Sequence, residues 1–216
     1  MFSSLFLSTR VRQPNAFIYR LVIAFSLLWL LSFAFTHDRT NWIIENLLVI
    51  LLTPVILINL ASLRVRRITY YCLFTFGALH ILGSQYAYSS VPLGDWLQAA
   101  YSLHRNPYDR IVHFSFGFLI AFPLLEVLVQ KWMVTSWRKY IMPIEIILSL
   151  SAFFELIEWC IGGVLMPSSV KTYVGTQGDV WDAQKDMALA LLGAALTMLF
   201  VFFYDQRKAK ANRKSR

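Results

Sequence analysis

RIVHFSFGFLIAFPLLEVLVQ, residues 110–130, decides the fold: its 21 positions carry one Arg, one His and one Glu in a run dominated by Phe, Leu, Ile and Val. A helix rising about 1.5 Å per residue needs about 20 such residues to cross a hydrocarbon core roughly 30 Å thick. The run reads as a membrane span. Working outward, comparable apolar runs occupy 19–36, 42–60, 68–88, 140–165 and 184–204, which makes six spans in all. The connections are short except for 89–109 and 166–183, so neighbouring helices run antiparallel and form a compact bundle. Across the 216 residues 57% are hydrophobic and 15% charged, against roughly 25% charged in a soluble domain. The expected fold is therefore all-α: a polytopic membrane bundle of six helices, a single domain over 1–206, and a basic tail over 207–216.

The formal net charge is +8, but the basic residues sit in inter-helix loops and in the tail rather than on a folded basic face. Nucleic acid is not the expected partner; the lipid bilayer is. Counted on alternate sides of the spans, 15 of the 20 Lys and Arg fall on one side, among them Arg10, Arg66, Arg138 and the cluster from Arg207 onward. Arg39, Arg105, Arg110, Lys171 and Lys185 fall on the other. By the positive-inside rule both termini are cytoplasmic, and the tail is attracted to anionic lipid. The first span follows Arg10, Arg12 and Arg20 as a signal peptide would, but it is too long and lacks a small-x-small cleavage site, so it is read as retained. Trp42, Trp96, Trp132, Trp137 and Trp181 lie near span ends, as aromatic belts do. Cys72 and Cys160 fall inside spans and are read as buried free thiols.

An ionisable group at the centre of a span costs about 2.5–3.5 kcal/mol on insertion scales, so the positions of such groups are informative. Most lie in the outer half of the bundle. Glu45 is near the outer end of the second span, His80 roughly 12 Å deep in the third, and Glu158 and Glu155 roughly 10 and 15 Å deep in the fifth. Asp109 and His113 open the fourth span; Asp179, Asp182 and Asp186 lead into the sixth. Five spans contribute, and an outward-opening polar cavity inside the bundle accounts for them economically. The i, i+4 spacing of Asp109 and His113 puts both on one helix face. Glu155 and Glu158 share a face at i, i+3, and Asp179, Asp182 and Asp186 make one acidic stripe if the helix starts by Gly178. Carboxylates that close in low dielectric need a cation or a shared proton.

Plainer readings stand beside these. Asp109, Asp179 and Asp182 are equally suited to helix capping, Glu45 to a first-turn acid, His113 to an interfacial histidine, and His80 to a single interhelical hydrogen bond. Glu155 and Glu158 have no capping role. Glu126 and Glu145, at the cytoplasmic ends of their spans, pair naturally with Lys131, Arg138 or Lys139. No phosphate-binding loop, dinucleotide fingerprint, His-Glu-x-x-His or paired Cys-x-x-Cys is present, so those enzyme classes lose support.

The segment Tyr-Asp-Arg-Ile-Val-His-Phe at 108–114, the run Phe-Glu-Leu-Ile-Glu-Trp at 154–159 and Gly-Thr-Gln-Gly-Asp-Val-Trp-Asp-Ala-Gln-Lys-Asp-Met at 175–187 resemble the YjdF-like family of bacterial inner-membrane proteins. More remotely, the Asp-basic-x-x-His-Phe opening and the later Asp182, Asp186 and Gly193 are similar to VanZ-like proteins, a group associated with resistance to a glycopeptide antibiotic. In that group the basic residue is usually Lys and the later polar residue Asn, where this chain has Arg110 and Asp186. The resemblance implies a bacterial inner-membrane location and an envelope-facing site.

Three functions are compatible with these readings. In the first, a membrane-embedded enzyme or binding protein takes a lipid-linked or envelope-precursor ligand at the outer leaflet. His113, oriented by Asp109, is then general base or metal ligand, and Glu155, Glu158, Asp182 and Asp186 hold a divalent cation such as Mg²⁺ or trade protons. The second is a proton-coupled small-solute transporter with Glu155 and Glu158 as relay. The third is a scaffold without catalytic activity, its polar cluster fixing helix packing.

Overall fold

The structure is a computed structural model and describes residues 15–36, 38–61, 63, 65–161 and 177–214. In chain order its helices are α1 (Asn15–Phe35), α2 (Arg39–Ala61), α3 (Arg67–Gln85), α4 (Pro92–Ala100), α5 (Tyr108–Lys131), α6 (Arg138–Glu158) and α7 (Asp182–Lys214). There is no strand among the described residues, and the fold is all-α. By length and composition α1, α5, α7 and α6, extended to Ile161, are able to cross a membrane. The other two long helices, α2 and α3, have 23 and 19 residues. Arg10, Arg12 and the whole of 162–176, Lys171 included, lie outside the described residues.

Helix starts are set by local chemistry. Asp38 Oδ1 accepts the Asn41 N–H at 2.9 Å and so caps α2. Pro92 opens α4 with Asp95 in its first turn, where a missing N–H is harmless and a negative charge suits the helix dipole. Before α5, Asn106 Oδ1 accepts the Tyr108 N–H at 3.0 Å. Before α7 the chain turns through Gln177 and Gly178, both at positive φ, and Asp179 Oδ1 accepts the Trp181 N–H at 3.1 Å. That turn corrects one expectation: α7 begins at Asp182, so Asp179 lies off the helix and off the acidic stripe of Asp182 and Asp186.

Two further differences concern element extent. The connection 89–109 contains the nine-residue α4, too short for a hydropathy pattern to reveal. The basic stretch expected as a tail from Arg207 continues α7 in unbroken helix to Lys214.

The packing inverts that of a soluble protein. Glu45, His113, Glu126, Asp182 and Asp186 are buried, while Leu27, Leu51, Phe153, Leu156, Phe200 and Phe203 are exposed. Apolar exteriors around polar interiors belong in lipid, which solvates Leu and Phe and will not solvate carboxylates. The central core joins α5, α6 and α7 through Ala121, Leu125, Ile147, Ala190, Ala194 and Met198. Here α5 and α7 touch backbone to backbone: a Cβ on Gly117 would stand 1.9 Å from the Ala190 carbonyl oxygen, and one on Gly193 2.3 Å from that of Phe114. Small residues permit this approach, and the Thr197 hydroxyl donates across it to the Phe118 carbonyl at 2.7 Å.

A second group ties α1, α2 and α3. Trp29 Nε1 donates to Asn46 Oδ1 at 2.9 Å, Asn46 Nδ2 to Ser84 Oγ at 3.0 Å, and Trp42 Nε1 to Ser32 Oγ at 3.0 Å. Trp42 is only 3% exposed and does not join an aromatic belt; Trp96, Trp132, Trp137 and Trp181 are exposed. Cys160 is exposed rather than buried, and Cys72 is half-buried. At the end of the bundle where α3 and α6 start, Glu126 accepts from the Arg66 N–H at 3.1 Å and from the Thr69 hydroxyl. Among the described residues it pairs there with Arg66, while Lys139, one of its expected partners, is 2.7 Å from Asp205. Helix termini decide this, since the start of α3 lies against the last turns of α5.

Candidate functional site

At the opposite end of the bundle α5 and α7 begin, α6 ends, and the polar residues converge. Asp109 and His113 come from the first two turns of α5, Asp182 and Asp186 from those of α7, and Glu155 and Glu158 from the last turn of α6. Asp186 is 2% exposed, and one ligand atom from each of Asp109, His113 and Asp186 lies within 4.8 Å of the others. His113 Nε2 is 3.6 Å from Asp109 Oδ1 and 3.6 Å from Glu155 Oε1, beyond hydrogen-bond length to either. Glu155 Oε1 and Asp186 Oδ1 are buried without a hydrogen-bond partner. Glu158 lies within Coulombic reach of Asp109, Glu45, Glu155 and Asp186, which places it at the same cluster.

Glu45 of α2 and His80 of α3 line the side of the cluster toward those helices. His80 Nδ1 is hydrogen-bonded to the Tyr88 hydroxyl at 2.5 Å, while His80 Nε2 and Glu45 Oε2 are buried with no partner. Of the nine residues singled out in the sequence, eight thus gather at one end of the bundle. Asp179 is the exception, held at the rim: it takes Lys185 Nζ at 2.6 Å and also pairs with Arg110. The Lys185 ammonium, followed by the Trp181 N–H and the Arg110 guanidinium, brings its carboxyl down to about 2 from the ordinary 3.8.

Two residues that hold the site together were not singled out from the sequence. Arg105, 7% exposed, binds Asp182 and stands 3.6 Å from Asp109, placing one buried cation between the acids of α5 and α7. Its signal was available: it is a basic residue on the cation-poor side, four before Asp109. Asn106 is the second. Its Nδ2 donates to the Val91 carbonyl at 3.1 Å and to Asp95 Oδ1 at 2.8 Å, and its backbone N–H and carbonyl bond the Gln177 side chain at 2.9 and 3.2 Å. It fastens α4 and the approach to α7 onto the start of α5, close enough that a Cβ on Gly94 would meet its Oδ1 at 1.7 Å. No sequence pattern marks that role.

α4 covers this end with Gly94 turned inward and Leu93 and Trp96 exposed. Tyr101 and Leu103 beyond it, and Val180 and Trp181 before α7, are exposed too. Aromatic and apolar side chains presented around a polar mouth suit the headgroup region of a bilayer.

A family model described as predicted membrane protein (DUF2238) matches residues 17–207. The chain is 34% identical over 176 residues to the inner membrane protein YjdF of Escherichia coli (strain K12), covering 81% of this chain and 83% of that one. No solved structure matches.

Proposed function

This chain belongs to the DUF2238 family of predicted membrane proteins and is a multi-pass protein of the bacterial inner membrane; from that premise we propose that its buried Asp/Glu/His cluster opens to the outer, periplasmic leaflet and binds or modifies the polar part of a lipid-linked or envelope substrate. The observation that carries the reading is the convergence of ionisable groups from α2, α3, α5, α6 and α7 at one bundle end, beneath a rim of exposed Trp96, Tyr101 and Trp181. Unpartnered buried acceptors are expensive in lipid and are kept where a ligand or water completes them. A substrate already in the leaflet reaches such a site sideways past the rim without leaving the membrane.

In this reading His113, positioned between Asp109 and Glu155, serves as general base or as metal ligand, and Glu158 exchanges protons within the cluster. Arg105 keeps Asp182 and Asp109 apart from direct repulsion and orients both. Glu126, the buried acid at the other end, is occupied by Arg66 and Thr69, which favours a site confined to one leaflet over a relay across the membrane.

The test is native mass spectrometry of the full chain released from mild detergent, with extracted lipids identified in parallel. The wild type is expected to retain a headgroup-bearing ligand that His113→Ala and Glu158→Gln lose while remaining folded. Equal retention of the same ligand by all three would overturn the reading.

A further inference from the structure

Resting on that reading of the site, we infer that Asp109, His113 and Asp186, with Glu155 as fourth donor, form a binding site for one divalent transition-metal ion of the Zn²⁺ or Mn²⁺ class.

The geometry points there first. Donors around a four-coordinate ion with bonds of 2.0–2.2 Å stand about 3.4 Å from one another. His113 Nε2 is 3.6 Å from both Asp109 Oδ1 and Glu155 Oε1: too far for a hydrogen bond, and close to the edge of such a coordination shell. The Asp109, His113 and Asp186 donors fall within 4.8 Å of one another, so contraction by small side-chain rotations brings all three to a common ion.

The second observation is independent of the spacing. Asp186, 2% exposed, has Oδ1 buried with no partner, and so has Glu155 at Oε1. When ionised both can only accept, and the buried guanidinium of Arg105 makes its ion pairs with Asp182 and Asp109, reaching Asp186 through its field. A dication supplies the missing positive charge where the orphaned oxygens are.

The donor set then selects the ion. Mg²⁺ and Ca²⁺ take oxygen ligands, and Mg²⁺ prefers to keep several waters. An imidazole together with three carboxylates is a mixed nitrogen and oxygen set, suited to Zn²⁺ or Mn²⁺. Asp182 is outside the set because Arg105 and Arg110 already occupy it.

The experiment uses the full chain in nanodiscs, stripped of metal and titrated with MnCl₂ alone. Electron spin resonance is expected to show one bound Mn²⁺ per chain, with electron spin echo modulation from a directly coordinated ¹⁴N, and ZnCl₂ should displace it. Asp186→Asn and His113→Asn should weaken Mn²⁺ by at least about tenfold, the latter removing the ¹⁴N signal, while Glu145→Gln at an exposed position leaves both unchanged. Absence of stoichiometric binding by the wild type, or bound Mn²⁺ without nitrogen modulation, overturns the inference. The ¹⁴N signal is read on wild type and so does not depend on the variants folding. Lipid retention in the mass spectrometry above is scored separately, so the metal assignment can fail while the substrate site stands.

Discussion

Arg105 shows how one side chain fixes a site. It stands between Asp182 and Asp109 with almost no contact with solvent, and removing one member of a buried ion pair leaves the rest charged and uncompensated. Arg105→Gln is expected to cost about 3–5 kcal/mol, read as a lower midpoint in thermal unfolding in detergent. Adding Asp182→Asn to that variant should restore part of the loss, because the two effects are not independent. Asp179 makes a different prediction, since its pairing with Lys185 lies at the rim. Its folded value near 2 is below the ordinary 3.8, so its contribution is fully present above the unfolded value and is lost as pH falls through the folded one. The melting difference between wild type and Asp179→Asn should therefore be constant from about pH 5 to 8 and shrink between about pH 4 and 2; Asn keeps the acceptor for the Trp181 N–H, which isolates the charge. At this scale the acids and histidines were legible from the cost of placing them in a span. Their partners were not: Asn106, Tyr88 and Arg105 become neighbours only once three helix ends and two connections come together.

Between elements, the decisive contact is α5 against α7. Gly117→Ala would place a methyl carbon 1.9 Å from the Ala190 carbonyl oxygen, and a backbone atom cannot rotate away. The helices must separate, at an expected cost of about 1–3 kcal/mol, with the same direction for Gly193→Ala; a thermal shift for the two single variants and the double checks it. Separation also spreads the Asp109 and Asp186 donors, so these variants should lower Mn²⁺ affinity without touching a donor. The long helices could be read from apolar runs because lipid selects for them directly. α4 could not, since nine residues with one inward Gly94 make no such run, and neither could the start of α7, where the positive φ of Gly178 ends a pattern that acidic spacing alone would have continued.

For the molecule as a whole, the charge asymmetry and the location of the site make a single prediction about orientation. In a background with Cys72 and Cys160 replaced by Ser, Ser102→Cys should react with a membrane-impermeant maleimide in intact spheroplasts, and Ser215→Cys only after lysis; the reverse result would place the site on the cytoplasmic face. The inside-out distribution of polarity was the most legible property of all, being set by composition. Which polar group meets which was hidden, because helices separated by up to 141 positions, as Glu45 and Asp186 are, supply one chamber.

The 33 residues of α7 rise about 50 Å, where the hydrocarbon core takes up about 30 Å. One stiff rod therefore carries Asp186 at one extremity and projects some turns into water at the other. A helical fusion spliced in register at Lys214 would ride on that rod as a rigid fiducial, giving a 25.0 kDa particle the asymmetry that electron cryomicroscopy needs to align it, and reporting in the same image any tilt of the helix when the chamber fills.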